Sequence, residues 1–458
     1  MPVNFTAQPS SYRDPSGFLF YRDGILYRQV NKVFAEDFDQ FMSGGLYQSL
    51  TEKKLLVTHR DVDENLTGTS NWHRTIQPET IPFISYPYEW CFDMWKDAAL
   101  TTLEAAREAM SKGMMLKDAT AYNIQWHRGH MMFLDTLSFE RYNPQQPWIA
   151  YRQFCEQFLA PLALMHYLQW PLSSLFLTYP EGLPLPLVKK LLPFRTRFNL
   201  HIFLHLHLQG TMSTKASTTQ KASSFSEKKL ADLLRSLQTA VNSFSLNSRS
   251  GVWSDYYEEA GQRDDYLEQK EAIVERWTRD LPVQYAIDLG ANEGRFSRLL
   301  AAQQKYVVSA DFDHYSVNRL YLEIKKQNIS NIHPVVLDLA HPSPAIGVNL
   351  EERASFIDRV PKGLVLALAL VHHLAIGKNI PFGHIVRLVR SFGPWLLIEF
   401  IPKEDEKIAT MLRDKKDIYE DYTQEAFLAA FSKEYNIVAQ EEVSNSKRIL
   451  YLMQAHAS

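Results

Sequence analysis

Tyr285-Ala-Ile-Asp-Leu-Gly-Ala-Asn-Glu-Gly-Arg-Phe-Ser297 decides the fold class of this chain. Tyr285 to Leu289 is a short apolar run closed by turn residues, the pattern of a buried strand. Gly290, Ala291, Asn292, Glu293 and Gly294 make a tight turn, and Phe296, Leu299 and Leu300 then recur at helical spacing. A strand, a glycine turn and a helix form the opening unit of a nucleotide-binding α/β sheet. Glycine is needed where the backbone turns sharply and presses close to a ligand. The N–H groups that begin the new helix then face that ligand. The GxGxxG spacing of dinucleotide enzymes is absent, so the turn by itself specifies a type of site and not a particular nucleotide.

Outward from this turn the chain alternates. Strands are expected at Gln284–Leu289, Tyr306–Ala310, His333–Leu337, Leu364–Ala369 and Trp395–Phe400, with helices near Arg295–Ala302, Tyr315–Gln327 and Phe382–Arg390. A helix at Thr423–Lys433 and two strands, Asn436–Gln440 and Arg448–Met453, close it, the pair joined through Ser444-Asn-Ser446. Alternation of this kind predicts an open, doubly wound parallel α/β sheet. Asp288, Asp311 and Asp338 close three successive strands. An acid ending the second strand accepts hydrogen bonds from both hydroxyls of a ribose; Asp313, two residues on, is the weaker choice. The fourth strand runs into Ala367-Leu-Ala-Leu-Val-His-His-Leu374. Imidazole titrates near neutrality, so His372 or His373 is a candidate base for an acceptor hydroxyl; the alternative is one packed and one structural histidine. Glu399-Phe-Ile-Pro-Lys-Glu-Asp405 leaves the fifth strand toward the same rim.

On these residues the C-terminal half resembles the class I S-adenosylmethionine-dependent methyltransferases. The resemblance implies a Rossmann-like seven-stranded sheet with a terminal β-hairpin and S-adenosylmethionine as cofactor. It implies cofactor contacts from Asp288, Gly290, Asn292, Gly294, Asp311, Phe312, Asp338, Leu339 and Ala369, and catalytic positions at His372, His373 and Glu399. The aromatic lead-in Trp253-Ser-Asp-Tyr-Tyr257 would close over the sulfonium, with Tyr257 as the contact, and exclude water. No Asn-Pro-Pro-Tyr type loop follows strand four, which favours an oxygen acceptor over a nitrogen one. With Ser446-Lys-Arg-Ile-Leu-Tyr-Leu-Met453 added, the whole chain resembles predicted bacterial methyltransferases related to a rhizobial nodulation host-specificity protein. That likeness implies a small-molecule or glycan-type acceptor.

The chain has 458 residues, too many for one ordinary core. A net charge of −3 provides no basic field over the whole protein, so nucleic acid is not expected as a partner. Cys91 and Cys155 form no metal or disulfide pattern and suit a reducing compartment, which places the protein in the cytoplasm. Met1 to Gly17 has no apolar stretch of signal-peptide type. Phe158 to Leu177 is uncharged and long enough to span a bilayer, but it carries Pro161, His166, Gln169 and Pro171. A buried helical hairpin broken at Pro171 is expected, and a membrane partner is not.

The domains expected are 1–209, a polar linker at 210–225, and 226–458 with Ser226 capping an amphipathic lead-in helix. In the first, a hairpin turns at Asp23-Gly24. Helices follow at Ala35–Gly44, Leu46–Lys54 and Trp90–Met110, then a strand at Met131–Leu134. Asp118, Asn123 and Asp135 resemble the catalytic loop and metal aspartate of kinase-like phosphotransferases of the aminoglycoside and choline kinase branch. The resemblance implies an α+β domain with a helical extension, in which Asp118 orients an acceptor hydroxyl and the other two hold magnesium. Leu116-Lys117 departs from the usual residues, and neither a glycine-rich phosphate loop nor a clear strand lysine stands near Gly24 to Val33. A non-catalytic binding module is therefore favoured over a bifunctional kinase-methyltransferase. His201, His205 and His207 have no acidic or thiol neighbour and are expected to be packed or surface histidines rather than metal-bound.

Overall fold

The computed structural model describes residues 5–212, 226–247, 264–413, 417–443 and 446–457. The chain divides into two compact units, Met1–Asn247 with Ala345–Ala354, and Ser248–Pro344 with Ser355–Ser458.

The first unit opens with a five-stranded antiparallel sheet: β1 (Thr6–Ala7), β2 (Gly17–Arg22), β3 (Ile25–Asn31), β4 (His59–Val62) and β5 (Trp72–Pro78), in the order β1-β2-β3-β5-β4. The β2–β3 turn has Asp23 at φ 54° and Gly24 at φ 77°, the two left-handed residues that match a two-residue hairpin to strand twist. Helices α1 (Ala35–Ser43), α2 (Leu46–Glu52) and α3 (Phe92–Ser111) follow. Four short strands come next, β6 (Met114–Leu116) paired with β9 (Phe139–Arg141) and β7 (Ile124–His127) paired with β8 (His130–Phe133). The remainder is helical, including α4 (Ala160–Leu168), α5 (Leu185–Leu191) and α6 (Glu227–Asn242). This is the α+β unit with a helical extension that the kinase-like resemblance implied.

Two expectations change here. Helix α4 is buried from Ala160 to Met165 but ends at Leu168, where Gln169 turns left-handed (φ 51°), so the break precedes Pro171 and leaves Trp170 exposed. The boundary between units also falls after Asn247 rather than in 210–225. The apolar stripe of α6, with Leu230, Leu234 and Leu237 buried, packs on α3. Arg107 donates to Gln238 at 2.6 Å, and Lys96 donates to the Phe244 carbonyl at 2.7 Å. Most of the proposed linker, and all of Trp253–Tyr257, lie outside the described residues.

The second unit is one sheet. Strands β10 (Tyr285–Leu289), β11 (Tyr306–Asp311), β12 (Ile332–Val336), β13 (Leu364–Ala367) and β14 (Trp395–Phe400) are parallel; β15 (Tyr435–Glu442) and β16 (Ile449–Ala455) form the antiparallel closing hairpin. The order is β12-β11-β10-β13-β14-β16-β15, a doubly wound seven-stranded sheet as expected. Helices α7 (Asp264–Thr278), α8 (Arg295–Ala302), α9 (His314–Lys326), α10 (Phe382–Arg390) and α11 (Gln424–Phe431) accompany it. The strands read as continuous apolar runs because both faces are covered. The chain builds outward from β10 to β12 and then returns to β13 on the other side of β10, so order reverses between β10 and β13. Ligands in such sheets bind at that switch point, beyond the carboxyl ends of the strands.

Candidate active site

A cleft opens at the switch point. Its walls include Gly290 and Asn292 after β10, Asp311 and Phe312 at the end of β11, Asp338 and Leu339 after β12, and Ala369 and His373 after β13. Asp288 also reaches it from within β10. Gly290 holds φ at 75° and Asn292 at 50°, which folds the turn back so that its backbone lines the cleft. Gly294 serves the fold instead. Its φ is 73°, and a Cβ there would meet Leu320 Cδ1 at 2.6 Å, so it lets α8 start against α9 rather than touching the cleft.

The three acids are held differently. Asp288 is buried and accepts from Ser297 Oγ at 2.6 Å, a hydroxyl also 2.8 Å from Ser309 Oγ. Burial lifts its carboxyl to about 6 against that hydrogen bond. Asp311 accepts the backbone N–H of Asn292 on one oxygen and of Asp313 on the other, both at 2.8 Å. Burial lifts it to about 6 as well. The carboxylate keeps acceptor capacity for a ligand donor beyond these backbone groups. Asp338 accepts from the Ala340 N–H at 2.9 Å, with Lys378 Nζ 3.5 Å away. Asp313 instead caps α9, accepting from Ser316 Oγ at 2.6 Å.

The candidate catalytic residues separate. His373 faces the cleft, and burial lowers its imidazole to about 4. His372 packs against it with ring centroids 4.0 Å apart and planes tilted by 40°, is buried, and is held neutral by burial and by its neighbour. Glu399 does not line the cleft. It is fully buried, accepting from Tyr266 Oη at 2.6 Å, Lys270 Nζ at 2.6 Å and the Ala369 N–H at 2.7 Å. Burial would raise this carboxyl, but Lys270 and Arg448 outweigh it and hold it low. Glu399 therefore holds the left-handed turn at Ala369 (φ 50°) and does not face the cleft. Tyr257 lies outside the described residues.

No family model matches this chain. It is 32% identical over 459 residues to Nodulation protein NoeA of Rhizobium meliloti (strain 1021), across 97% of this chain and 95% of that one. The chain belongs to the NoeA family. Among solved structures, WbdD, described as a bifunctional kinase-methyltransferase, matches 43% of this chain and 39% of its own at 18% identity and a TM-score of 0.28, so this chain spans about two-fifths of WbdD. N-methyltransferase NodS from Bradyrhizobium japonicum WM9 matches 42% of this chain and 97% of its own at 12% identity and a TM-score of 0.31. Magnesium protoporphyrin IX methyltransferase ChlM from Synechocystis PCC 6803 with bound SAH matches 42% of this chain and 86% of its own at 15% identity and a TM-score of 0.31.

In the first unit of this NoeA-family chain, Asp118, Asn123 and Asp135 do come together, but as partners of one another and of a fixed cation. Asn123 Nδ2 donates to Asp118 Oδ2 at 3.2 Å and to Ser138 Oγ at 3.0 Å. Asp118 also accepts from Gln153 at 2.7 Å. Asp135 accepts from Ser138 Oγ at 2.5 Å and the Leu137 N–H at 3.1 Å, and its Oδ1 lies 2.5 Å from Arg28 Nη1. In this arrangement Asp135 faces the guanidinium of Arg28 on β3, which stands where a divalent cation would need its carboxylate. Among the described residues no three His, Cys, Asp or Glu side chains converge as metal donors. His205 hydrogen-bonds Tyr151 and Ser236, and His207 hydrogen-bonds Thr196, so both are packed as expected.

Sequence reasoning missed Lys270 and Phe296, which line the cleft from α7 and α8. The buried Lys270 ammonium sits 5.3 Å from the Phe296 ring. The signal was a lone lysine on the inner face of an amphipathic helix, a place where charge is rare unless paired. Lys378, also at the cleft, had no local signal. Arg28 carried one that went unused, a basic residue inside the strand Ile25–Asn31, where charge is rare unless paired.

Proposed function

We propose that the second unit is an S-adenosylmethionine-dependent methyltransferase acting on an oxygen of a small-molecule or glycan-type acceptor. The observation that supports this best is the cleft at the strand-order reversal, walled by a glycine turn and three strand-end acids. The residues fit the cofactor: Asp311 retains acceptor capacity for a ribose diol, Asp338 for an exocyclic amine, and the Gly290 backbone leaves room where a side chain would stand. Bound there, S-adenosylmethionine supplies an electrophilic methyl group. The chain's own part is alignment and water exclusion. Leu339, Phe312 and Leu370 provide apolar walls, and the Glu399–Lys270 pair anchors the Ala369 turn. A neutral His373 can accept a hydrogen bond from an acceptor hydroxyl. With its pKa lowered it stays unprotonated through neutral pH and does not repel a sulfonium. The relative's name, a nodulation protein, supports a glycan-type or other small-molecule acceptor. Two free, buried cysteines suit the cytoplasm. Titration calorimetry with S-adenosylmethionine tests the proposal, and no binding at millimolar cofactor would refute it.

For the first unit the Arg28–Asp135 pair favours a binding module without phosphoryl transfer. Magnesium neutralises the triphosphate in kinases, and a resident arginine on the metal aspartate competes with it. Magnesium-dependent ATP binding in the micromolar range would overturn this in favour of a bifunctional enzyme.

A further inference from the structure

From Gly182 to Ser226 the chain contains no aspartate or glutamate, yet it carries Lys189, Lys190, Arg195, Arg197, Lys215 and Lys221. In a protein of net charge −3 that is a strong local segregation of charge. The described part of this stretch also concentrates exposed apolar side chains. Phe198 is 81% exposed, Phe194 66% and Leu200 66%, with Leu191, Phe203, Leu204 and Leu208 exposed beside them. Single exposed apolar residues are ordinary. A cluster with basic residues interleaved marks an interaction surface.

The cluster is built, not frayed. Asn199 caps the helical segment that starts at Leu200, accepting from the Ile202 N–H at 3.2 Å. Ile202, His205 and Leu206 face inward and are buried, which obliges Leu200, Phe203, Leu204 and Leu208 to face out. The Phe194 and Phe198 rings sit edge-on at 5.7 Å, and the Arg197 guanidinium lies 4.9 Å from the Phe194 ring. Arg195 lies over the Tyr167 ring at 5.8 Å, and exposed Leu168 and Trp170 follow Tyr167 within three residues. The outer face of this helical layer is therefore apolar with a cationic border, the inverse of a solvated one.

We propose that this face, from Leu185 to Leu208, rests on the anionic surface of a lipid bilayer. Phe194, Phe198, Leu200 and Phe203 enter the headgroup boundary, while Arg195 and Arg197 pair with lipid phosphates. Aromatic and aliphatic side chains bordered by arginine and lysine, with no acid among them, match a layer that is apolar below and anionic above. A second copy of this chain matches it poorly, because a two-fold interface sets each surface against itself and would face these cations with one another. A bilayer contact departs from the sequence-based expectation of no membrane partner, which weighed a spanning segment at 158–177: no helix among the described residues is long and apolar enough to cross a membrane, and a surface lying on the bilayer requires none.

Sedimentation of the full chain with extruded vesicles tests this. Vesicles containing phosphatidylglycerol should pellet the protein, and pure phosphatidylcholine vesicles should do so at least tenfold less well. Phe194→Ser with Phe198→Ser should reduce binding more than tenfold with the melting temperature unchanged, because both side chains are exposed. Arg195→Gln with Arg197→Gln should weaken it about fivefold per arginine and flatten the salt dependence. The proposal is overturned if the wild-type chain stays in the supernatant with anionic vesicles. Undiminished binding by the phenylalanine pair variant would overturn it too. So would light scattering that shows a dimer dispersed by that variant with no vesicle binding.

Discussion

Asp311→Asn is expected to change the pH dependence of stability and the affinity for S-adenosylmethionine in opposite senses. Folding lifts the Asp311 carboxyl from an ordinary 3.8 to about 6, chiefly by burial. Below about pH 4 both folded and unfolded chains hold this proton, and the group costs nothing. Between about pH 4 and 6 the unfolded chain releases it while the folded chain retains it, so stability falls as pH rises and stays lower above about pH 6. Two units at about 1.4 kcal/mol each make this loss about 3 kcal/mol. Asparagine does not ionise, so the difference in stability, variant minus native, should rise by about 3 kcal/mol from pH 4 to 7. Asp288, which Asp311 pushes upward in part, is relieved in the variant and adds in the same direction. The starting offset is unfavourable by about 1–3 kcal/mol, because the new amide NH2 faces backbone N–H groups that the carboxylate accepts. The ligand loses an acceptor as well, which costs about 1–3 kcal/mol, or roughly 5- to 150-fold in Kd. Calorimetric melts of both proteins at half-unit steps from pH 4 to 7.5 measure the first effect, and titration calorimetry the second. A stability difference that stays flat across that range would refute the buried-carboxyl reasoning, and an unchanged Kd would remove Asp311 from the site.

Gly290→Val should abolish cofactor binding, since φ is 75° there and the new side chain enters the cleft beside Leu370; retained binding by calorimetry would show the turn to be a fold element alone. Glu399→Gln leaves the Lys270 ammonium buried without its carboxylate and should cost about 3–5 kcal/mol in denaturant unfolding. Adding Lys270→Met should recover part of that loss, and a double variant no better than the single would contradict the pairing. Arg28→Ala should destabilise the first unit by a few kcal/mol, roughly the cost of an unpaired, largely buried carboxylate at Asp135. Arg28→Ala with Asp135→Asn should be the more stable of the two variants in a thermal melt.

Much of the second unit was legible in advance, because periodicity and turn chemistry are properties of neighbouring residues. The helices Arg295–Ala302 and Phe382–Arg390 and the strand Trp395–Phe400 fall where their patterns placed them. Strand ends carry Asp311 and Asp338 to the cleft for the same reason: a residue that closes a parallel strand beside the order reversal has little choice of direction. Glu399 was misplaced by that logic. Its position on the fifth strand was right, but its partners, Tyr266 and Lys270, come from a helix 133 and 129 residues earlier. Whether a strand-end carboxylate faces solvent, ligand or a buried ammonium depends on which helix covers it.

The same division holds for the rest of the chain. From sequence alone came the nucleotide-type turn, the doubly wound sheet and its closing hairpin, and the hairpin at Asp23-Gly24, each specified by residues within one or two turns of each other. Tertiary structure decided what no local pattern contains. It seated α6 on α3, because an apolar stripe says that a helix packs but not on what. It set Arg28 against Asp135, since an ion pair forms only where two elements cross. It turned Phe194, Phe198 and Leu200 outward from an apolar stretch, because hydrophobicity favours burial but the inner face of that layer was already filled by Ile202, His205 and Leu206.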